Sequence, residues 1–192
     1  RPAISPNGRF VTFKLPGYAG LGYANGVDIS GNSGVYLRDR QNGTTISIPR
    51  PSVVSASDYD ICSSSSVSDV GSVMLECYYT LPGEVNRFPQ VFLYVPGQGA
   101  PALLSVNAAN QPGNAQSGHT LAVNASGLSM AWESDASNID PGDHNGETDI
   151  FVLVEESVIS DTIFANGFDA ATLRASAGRA HLAAIGYGAA HD

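Results

Sequence analysis

Lysine is almost missing from this sequence: Lys14 is the only one, set beside eight arginines. Between Arg87 and Arg174 there is neither lysine nor arginine. That same stretch carries Glu133, Asp135, Asp140, Asp143, Glu147, Asp149, Glu155, Glu156, Asp161 and Asp169. The 192 residues have a formal net charge of −9. A phosphate backbone is repelled by such a field, which excludes general nucleic-acid binding. Anionic membrane surfaces are disfavoured for the same reason. A divalent cation or a basic partner suits the field. Charged residues of both signs reach only 14%, against the usual quarter or so, which argues against long solvated helices. No apolar run approaches the roughly 18 residues of a membrane span, so no membrane insertion is expected. There is no G-x-S-x-G elbow, and none of His119, His144, His181 and His191 has a recognisable triad context, so no catalytic residue is assigned.

Cysteine is scarce too. Cys62 and Cys77 stand 15 positions apart, with no CxxC pair and no Cys/His cluster to argue for zinc. They suit one disulfide across neighbouring strands, or two buried free thiols. The opening Arg1-Pro2-Ala3-Ile4 lacks the apolar segment of a signal peptide, so the chain reads as mature or as cut from something longer.

What is abundant is glycine (21) and proline (11), in a chain that is 43% hydrophobic. That combination predicts a real core built from many short elements joined by turns. The pattern also repeats. Ala3-Ile4-Ser5-Pro6-Asn7-Gly8-Arg9-Phe10-Val11-Thr12-Phe13, Ser66-Val67-Ser68-Asp69-Val70-Gly71-Ser72-Val73-Met74-Leu75-Glu76-Cys77 and Ala122-Val123-Asn124-Ala125-Ser126-Gly127-Leu128-Ser129-Met130-Ala131-Trp132 each read as strand, tight turn at Gly, strand. A third strand follows each hairpin, at residues 34–39, 90–95 and 149–154. Two of the three continue through Gln41-Asn42-Gly43 and Pro96-Gly97-Gln98-Gly99 to a fourth, at 44–48 and 101–106. Tyr36 to Gly71 and Phe92 to Gly127 both span 35 positions, while the loops between hairpin and third strand vary in length. A constant scaffold with variable loops predicts a repeat architecture. The fold expected is all-β: three four-stranded antiparallel β-propeller blades, at about 1–48, 49–106 and 107–160, part of a larger or oligomeric propeller. A β-sandwich is the rival, but it gives no reason for the recurrence.

The phrases AISPNGRFVTF, VYLRDRQNGTT and AVNASGLSMAWESDASNIDPGDHNGETDIFV resemble the TolB-like, WD-like β-propeller repeats of bacterial exported proteins, over about residues 1–156. The resemblance implies a propeller fold and a secreted or periplasmic location, and no reaction. The segment Ile163-Phe164-Ala165-Asn166-Gly167-Phe168-Asp169 is similar to a terminal motif of exported xanthomonad-type proteins.

Three blades are too few to close a ring of about four to eight. The remainder of the chain's own protein, a second copy, or the C-terminal region is expected to complete it. Ser157-Val158-Ile159-Ser160 is the expected fourth strand of the third unit, and Cys62-Ser63-Ser64-Ser65-Ser66 reads as a connection between units. The tail 161–192 is rich in alanine, and Leu173, Ala177, Ala180 and Ala184 fall on one helical face. It reads as a short docked helix or a frayed extension.

The first candidate site is Asp140-Pro141-Gly142-Asp143-His144-Asn145-Gly146-Glu147-Thr148-Asp149. Oxygen ligands at alternating positions around a glycine turn are how a short loop wraps Ca²⁺. Asp143, Asn145 and Asp149 would ligate directly, Glu147 through its carbonyl, with Asp140 or Asp135 nearby. An acidic, Asx-rich turn between strands is the plain alternative. The loop Asn25-Gly26-Val27-Asp28 of the first unit is a poorer version with fewer acids. The second candidate is aromatic. Tyr78, Tyr79 and Phe88 flank a Pro-Gly turn, where loop aromatics could engage a protein or carbohydrate partner, whereas Trp132 reads as core. The function expected is an exported propeller binding or scaffold module stabilised by Ca²⁺. Its rivals are a non-catalytic propeller part of a larger hydrolase or peptidase, and a structural subunit of a cell-surface assembly.

Overall fold

A computed structural model describes residues 2–15, 23–24, 27–28, 34–54, 62–80, 87–155, 173–175 and 180–185. Within them the protein is all-β, with no helix. The first sheet is formed by β1 (Ala3–Ile4), β2 (Phe10–Leu15), β5 (Gly34–Asp39) and β6 (Thr44–Ser47), hydrogen-bonded in that order. The second is formed by β7 (Ser63–Val67), β8 (Val73–Thr80), β9 (Arg87–Tyr94) and β10 (Ala102–Leu103). The third contains β11 (Ser117–Val123), β12 (Ser129–Ser134) and β13 (Asp149–Glu155), extended by β15 (Ala180–Ile185) and then β14 (Leu173–Ala175). Every pairing is antiparallel. A separate two-stranded pair, β3 (Tyr23–Ala24) with β4 (Val27–Asp28), lies between β2 and β5 in sequence.

The three opening hairpins close by one device. A side-chain oxygen on the first turn residue accepts the backbone N–H where the next strand resumes: Ser5 Oγ from Phe10 N (3.0 Å), Ser68 Oγ from Ser72 N (3.0 Å) and Asn124 Oδ1 from Ser129 N (3.2 Å). Short polar side chains that bond their own turn favour this conformation over a continued strand. The second turn is one residue shorter than the others, since Ser68 N bonds Ser72 O whereas Ser5 N bonds Phe10 O and Asn124 N bonds Ser129 O. Aligning the repeats on their glycines therefore puts the second strand of the middle unit on the wrong face. The paired residues give the true equivalence: Phe13 opposite Tyr36, Leu75 opposite Phe92, and Trp132 opposite Phe151.

Strand alternation then sorts the faces. Phe10, Val35, Leu37 and Ile48 of the first unit pack with Val73, Leu75, Cys77, Phe92 and Tyr94 of the second in one buried cluster. Met74 and Val91 on the opposite face of the second sheet pack with Leu121, Met130, Trp132 and Phe151 of the third. The middle sheet is thus covered on both faces, which is why β8 and β9 are apolar almost throughout. At about 25 cal/mol per Å² of apolar surface, these two clusters supply most of the drive for stacking. Only Thr12 Oγ1 and Trp132 Nε1 among the described residues are buried side-chain polar atoms without a hydrogen-bond partner.

Stacking is also fixed turn to turn. Asn7 N donates to Asp69 Oδ1 (2.8 Å) and Asp69 N donates to Ala125 O (2.9 Å), so the three hairpin turns are linked in series. Gly71 and Gly127, both at positive φ, sit where a Cβ would press on the preceding unit. Cys62 and Cys77 form a disulfide that ties the start of β7 to β8, and both are fully buried.

Three expectations are corrected. The Ser63–Ser66 segment is not a connection but most of β7, an edge strand whose serines pair with β8. The described part of the tail is strand, not helix: β15 pairs with β13 over six residues, and propensity gives way to an available sheet edge. It follows that β15 occupies the position assigned to Ser157–Ser160, which lie outside the described residues. The segment Ile163–Asp169 and the turn residues Asn25 and Gly26 also lie outside them.

Candidate functional site

One end of the third sheet concentrates the acidic residues. There β12 ends at Ser134, a long loop runs through Asp135 to Thr148, and β13 begins at Asp149. The base of the loop is rigid. Ala136 and Ile139 are buried in the second core cluster and close on Gly113. Asn138 accepts from Asn114 N (2.9 Å) and donates to Pro112 O (3.0 Å). Asp135 N donates to Gln116 O (2.8 Å), and Thr148 Oγ1 donates to Asp135 Oδ1 (2.7 Å), pinning the two ends of the loop together.

From this base the residues 140–148 stand out into solvent as successive Asx turns. Asp140 Oδ1 accepts from Gly142 N (2.8 Å), Asp143 Oδ1 from Asn145 N (3.3 Å), and Asn145 Oδ1 from Glu147 N (2.8 Å). Gly146 takes φ +70°, which the tight turn needs. Asp149 is different: it is only 4% exposed. Burial raises the pKa of its carboxyl, and the neighbouring charges of Asp143 and Asp140 raise it further, against a hydrogen bond with Asn145 that lowers it. Asp140, Asp143, Asn145 and Asp149 are therefore brought together. Glu147 and His144 are exposed. No group of three or more His, Cys, Asp or Glu side chains among the described residues is already arranged as a metal cluster. The loop supplies a buried carboxylate with an acidic neighbour and an amide, not a finished cage.

Behind the loop lies a feature that sequence reasoning missed: a cavity of about 240 Å³ lined by Gln116, Gly118, His119, Glu133, Ser134, Asp135 and Thr148. It exists because β11 and β12 lose register between Ser117 and Leu121, a bulge in which Gly118 takes φ +123°. A bulge re-aims side chains at a sheet rim. The floor is held by Ser117 Oγ and Ser134 Oγ, 2.7 Å apart, and Gln116 Nε2 lies 2.9 Å from His119 Nδ1. The acidity at Glu133 and Asp135 and the Gly-His pair were visible in sequence, but nothing there marks a bulge.

The aromatic candidate is not one patch. Tyr79 lies opposite Phe88 at the far end of the second sheet, while Tyr78 projects from the other face, with the Arg87 guanidinium 5.5 Å from its ring. All three are half-buried. Trp132 is buried and stacks on Phe151, centroids 5.9 Å apart. No family model matches the chain, and no curated protein matches it.

Proposed function

We propose that the three stacked sheets are β-propeller blades and that the chain is an exported binding or scaffold module, stabilised by Ca²⁺ in the Asp140–Asp149 loop. The observation that carries this is the repeat of one interface. Each hairpin turn hydrogen-bonds to the next, and equivalent strand positions, Phe13, Leu75 and Trp132, recur opposite Tyr36, Phe92 and Phe151. Two packed sheets of a sandwich need no such succession, whereas blades do. The disulfide favours an oxidising compartment, and no described helix is long and apolar enough to cross a membrane.

Residues Asp143, Asn145 and Asp149 are the ligands, with the Glu147 carbonyl and Asp140 completing the set. The support is Asp149, a buried carboxyl whose charged form is disfavoured until a cation offsets its acidic neighbours. Melting with and without chelator tests the metal. A cation bound only by the folded state stabilises it by about 2.7 kcal/mol at a hundredfold excess over Kd. Asp143→Ala with Asp149→Ala should erase that gain, and no shift on adding Ca²⁺ to the chelated protein removes the site. The blade reading is tested by solution mass. Outer blade faces seek either a second copy or the remainder of the protein's own chain, so residues 1–192 alone should associate. A stable monomer with cooperative unfolding and no binding of a hydrophobe-sensing dye would return the fold to a sandwich.

A further inference from the structure

The cavity at the end of the third sheet adjoins the Ca²⁺ loop and shares Thr148 with it, but none of the five proposed cation ligands lines it. At about 240 Å³ it falls below the roughly 300–1,000 Å³ of small-molecule and cofactor sites, so it is the size of a side chain. Apart from Gly118, every residue that lines it has a polar side chain. Glu133 and Asp135 supply two carboxylates, His119 and Gln116 a paired imidazole and amide, and Ser134 and Thr148 hydroxyls. No lysine or arginine falls between residues 87 and 174 to neutralise the two carboxylates in sequence.

That lining selects its ligand by elimination. Anions are repelled. A sugar gains much of its affinity from stacking on an aromatic face, and no Trp, Tyr or Phe lines the cavity. A hard metal ion takes six or more oxygens converging on one point, whereas the carboxylates of this lining are those of Glu133 and Asp135, and Asp135 Oδ1 already accepts from Thr148 Oγ1. What remains is a planar organic cation whose several N–H groups reach acceptors spread around a rim. The guanidinium is that group: five donors in a fixed fork, weakly hydrated, matched to carboxylates. We propose that this cavity receives the side chain of an arginine on a partner protein, held by Glu133 and Asp135.

The test uses the whole chain in chelator, followed by NMR during titration with N-acetyl-arginine methylamide. Parallel arms use the citrulline and lysine counterparts. Saturable shifts at the His119 ring and at the Ser134 and Asp135 amides are expected with arginine, with lysine weaker and citrulline, which keeps the shape without the charge, inert. Glu133→Gln and Asp135→Asn should each weaken arginine binding about tenfold, as for loss of one partner of a charge-assisted hydrogen bond. Glu133 is half-buried and Asp135 exposed, so both variants should keep the wild-type amide spectrum elsewhere, which separates lost binding from lost fold. Absence of a saturable arginine shift, equal binding of citrulline, or variants that bind as wild type would each overturn the proposal. Because Ca²⁺ is absent throughout, failure here leaves the metal reading standing, and failure of the metal leaves this one.

Discussion

Replacing the turn glycines one at a time by alanine separates a local conformational cost from a cost that exists only if the sheets stack as described. Gly8, Gly97 and Gly127 all have φ between +74° and +84°, so each substitution carries the same left-handed penalty of about 1 kcal/mol. Their unfolded-state effects also match and cancel in the difference. Surroundings differ. A Cβ at Gly97 meets nothing within 4 Å, and at Gly8 only the tip of Arg40 at 3.7 Å. At Gly127 it lands 3.0 Å from Ser72 Oγ and from Val70 Cγ2 and 3.1 Å from Ser68 Oγ, all on the preceding sheet. Ser68 cannot yield freely, because its hydroxyl closes the neighbouring turn. Overpacking of this kind costs roughly 1–3 kcal/mol. Gly127→Ala should thus lose about 2–4 kcal/mol, and Gly8→Ala and Gly97→Ala about 1 each. Gly71→Ala should fall between, facing Phe10 and Pro96 at 3.2–3.3 Å. Urea unfolding read by Trp132 fluorescence gives the comparison, provided the slope m is unchanged. Equal losses at Gly8 and Gly127 would mean that the second and third sheets do not meet at this turn.

Three further outcomes follow from other contacts. Cys62→Ala with Cys77→Ala opens a 15-residue loop and should cost about 3 kcal/mol, visible as a lowered midpoint that reducing agent reproduces in the wild type. The Arg9 guanidinium, through Nε and Nη2, together with the N–H groups of Gln41 and Asn42, holds the Asp39 carboxyl down at about 2. Its contribution is therefore full above the ordinary carboxylate value and is lost as pH falls towards 2. Asp39→Asn should be less stable than wild type at neutral pH and equal to it near pH 2, and a deficit that persists in acid counts against the pairing. Asp149 runs the other way. Its raised pKa means that folding loses stability as pH climbs from the ordinary carboxylate range through the folded value. In chelator, Asp149→Asn should melt higher than wild type at neutral pH, lose that advantage in acid, and gain nothing from Ca²⁺; a neutral-pH melt below wild type refutes the burial argument.

Hairpins were the most legible part of the chain because they are local. A serine or asparagine, a glycine and an alternating strand are neighbours in sequence, and the turn they specify needs no help from elsewhere. Faces were less legible. The missing residue in the Ser68–Ser72 turn changes which side of β8 meets which partner, and only the paired strands reveal it. The tail misled because its alanines carry a helical preference, while the edge of β13 offers six residues of pairing that no local pattern announces. The acidic loop was visible as composition. That Asp149 alone is buried depends on where β13 enters the sheet, and the cavity beside it depends on a bulge at Ser117–Leu121, which is a property of two strands together.

The links between hairpin turns all point one way. Asn7 gives its N–H forward to Asp69, and Asp69 gives its own forward to Ala125. The stack consequently has polarity, with an acceptor end at the first turn and a donor end at the third. Copies joined through these ends cannot meet across a two-fold axis at the contact itself, because that would set donor against donor or acceptor against acceptor. They add head to tail, which makes the contact heterologous, and heterologous contacts either close into a ring or continue as a filament. Whether assembly stops is then decided by the rotation from one sheet to the next, an angle set by the two core clusters and not by any residue at the ends.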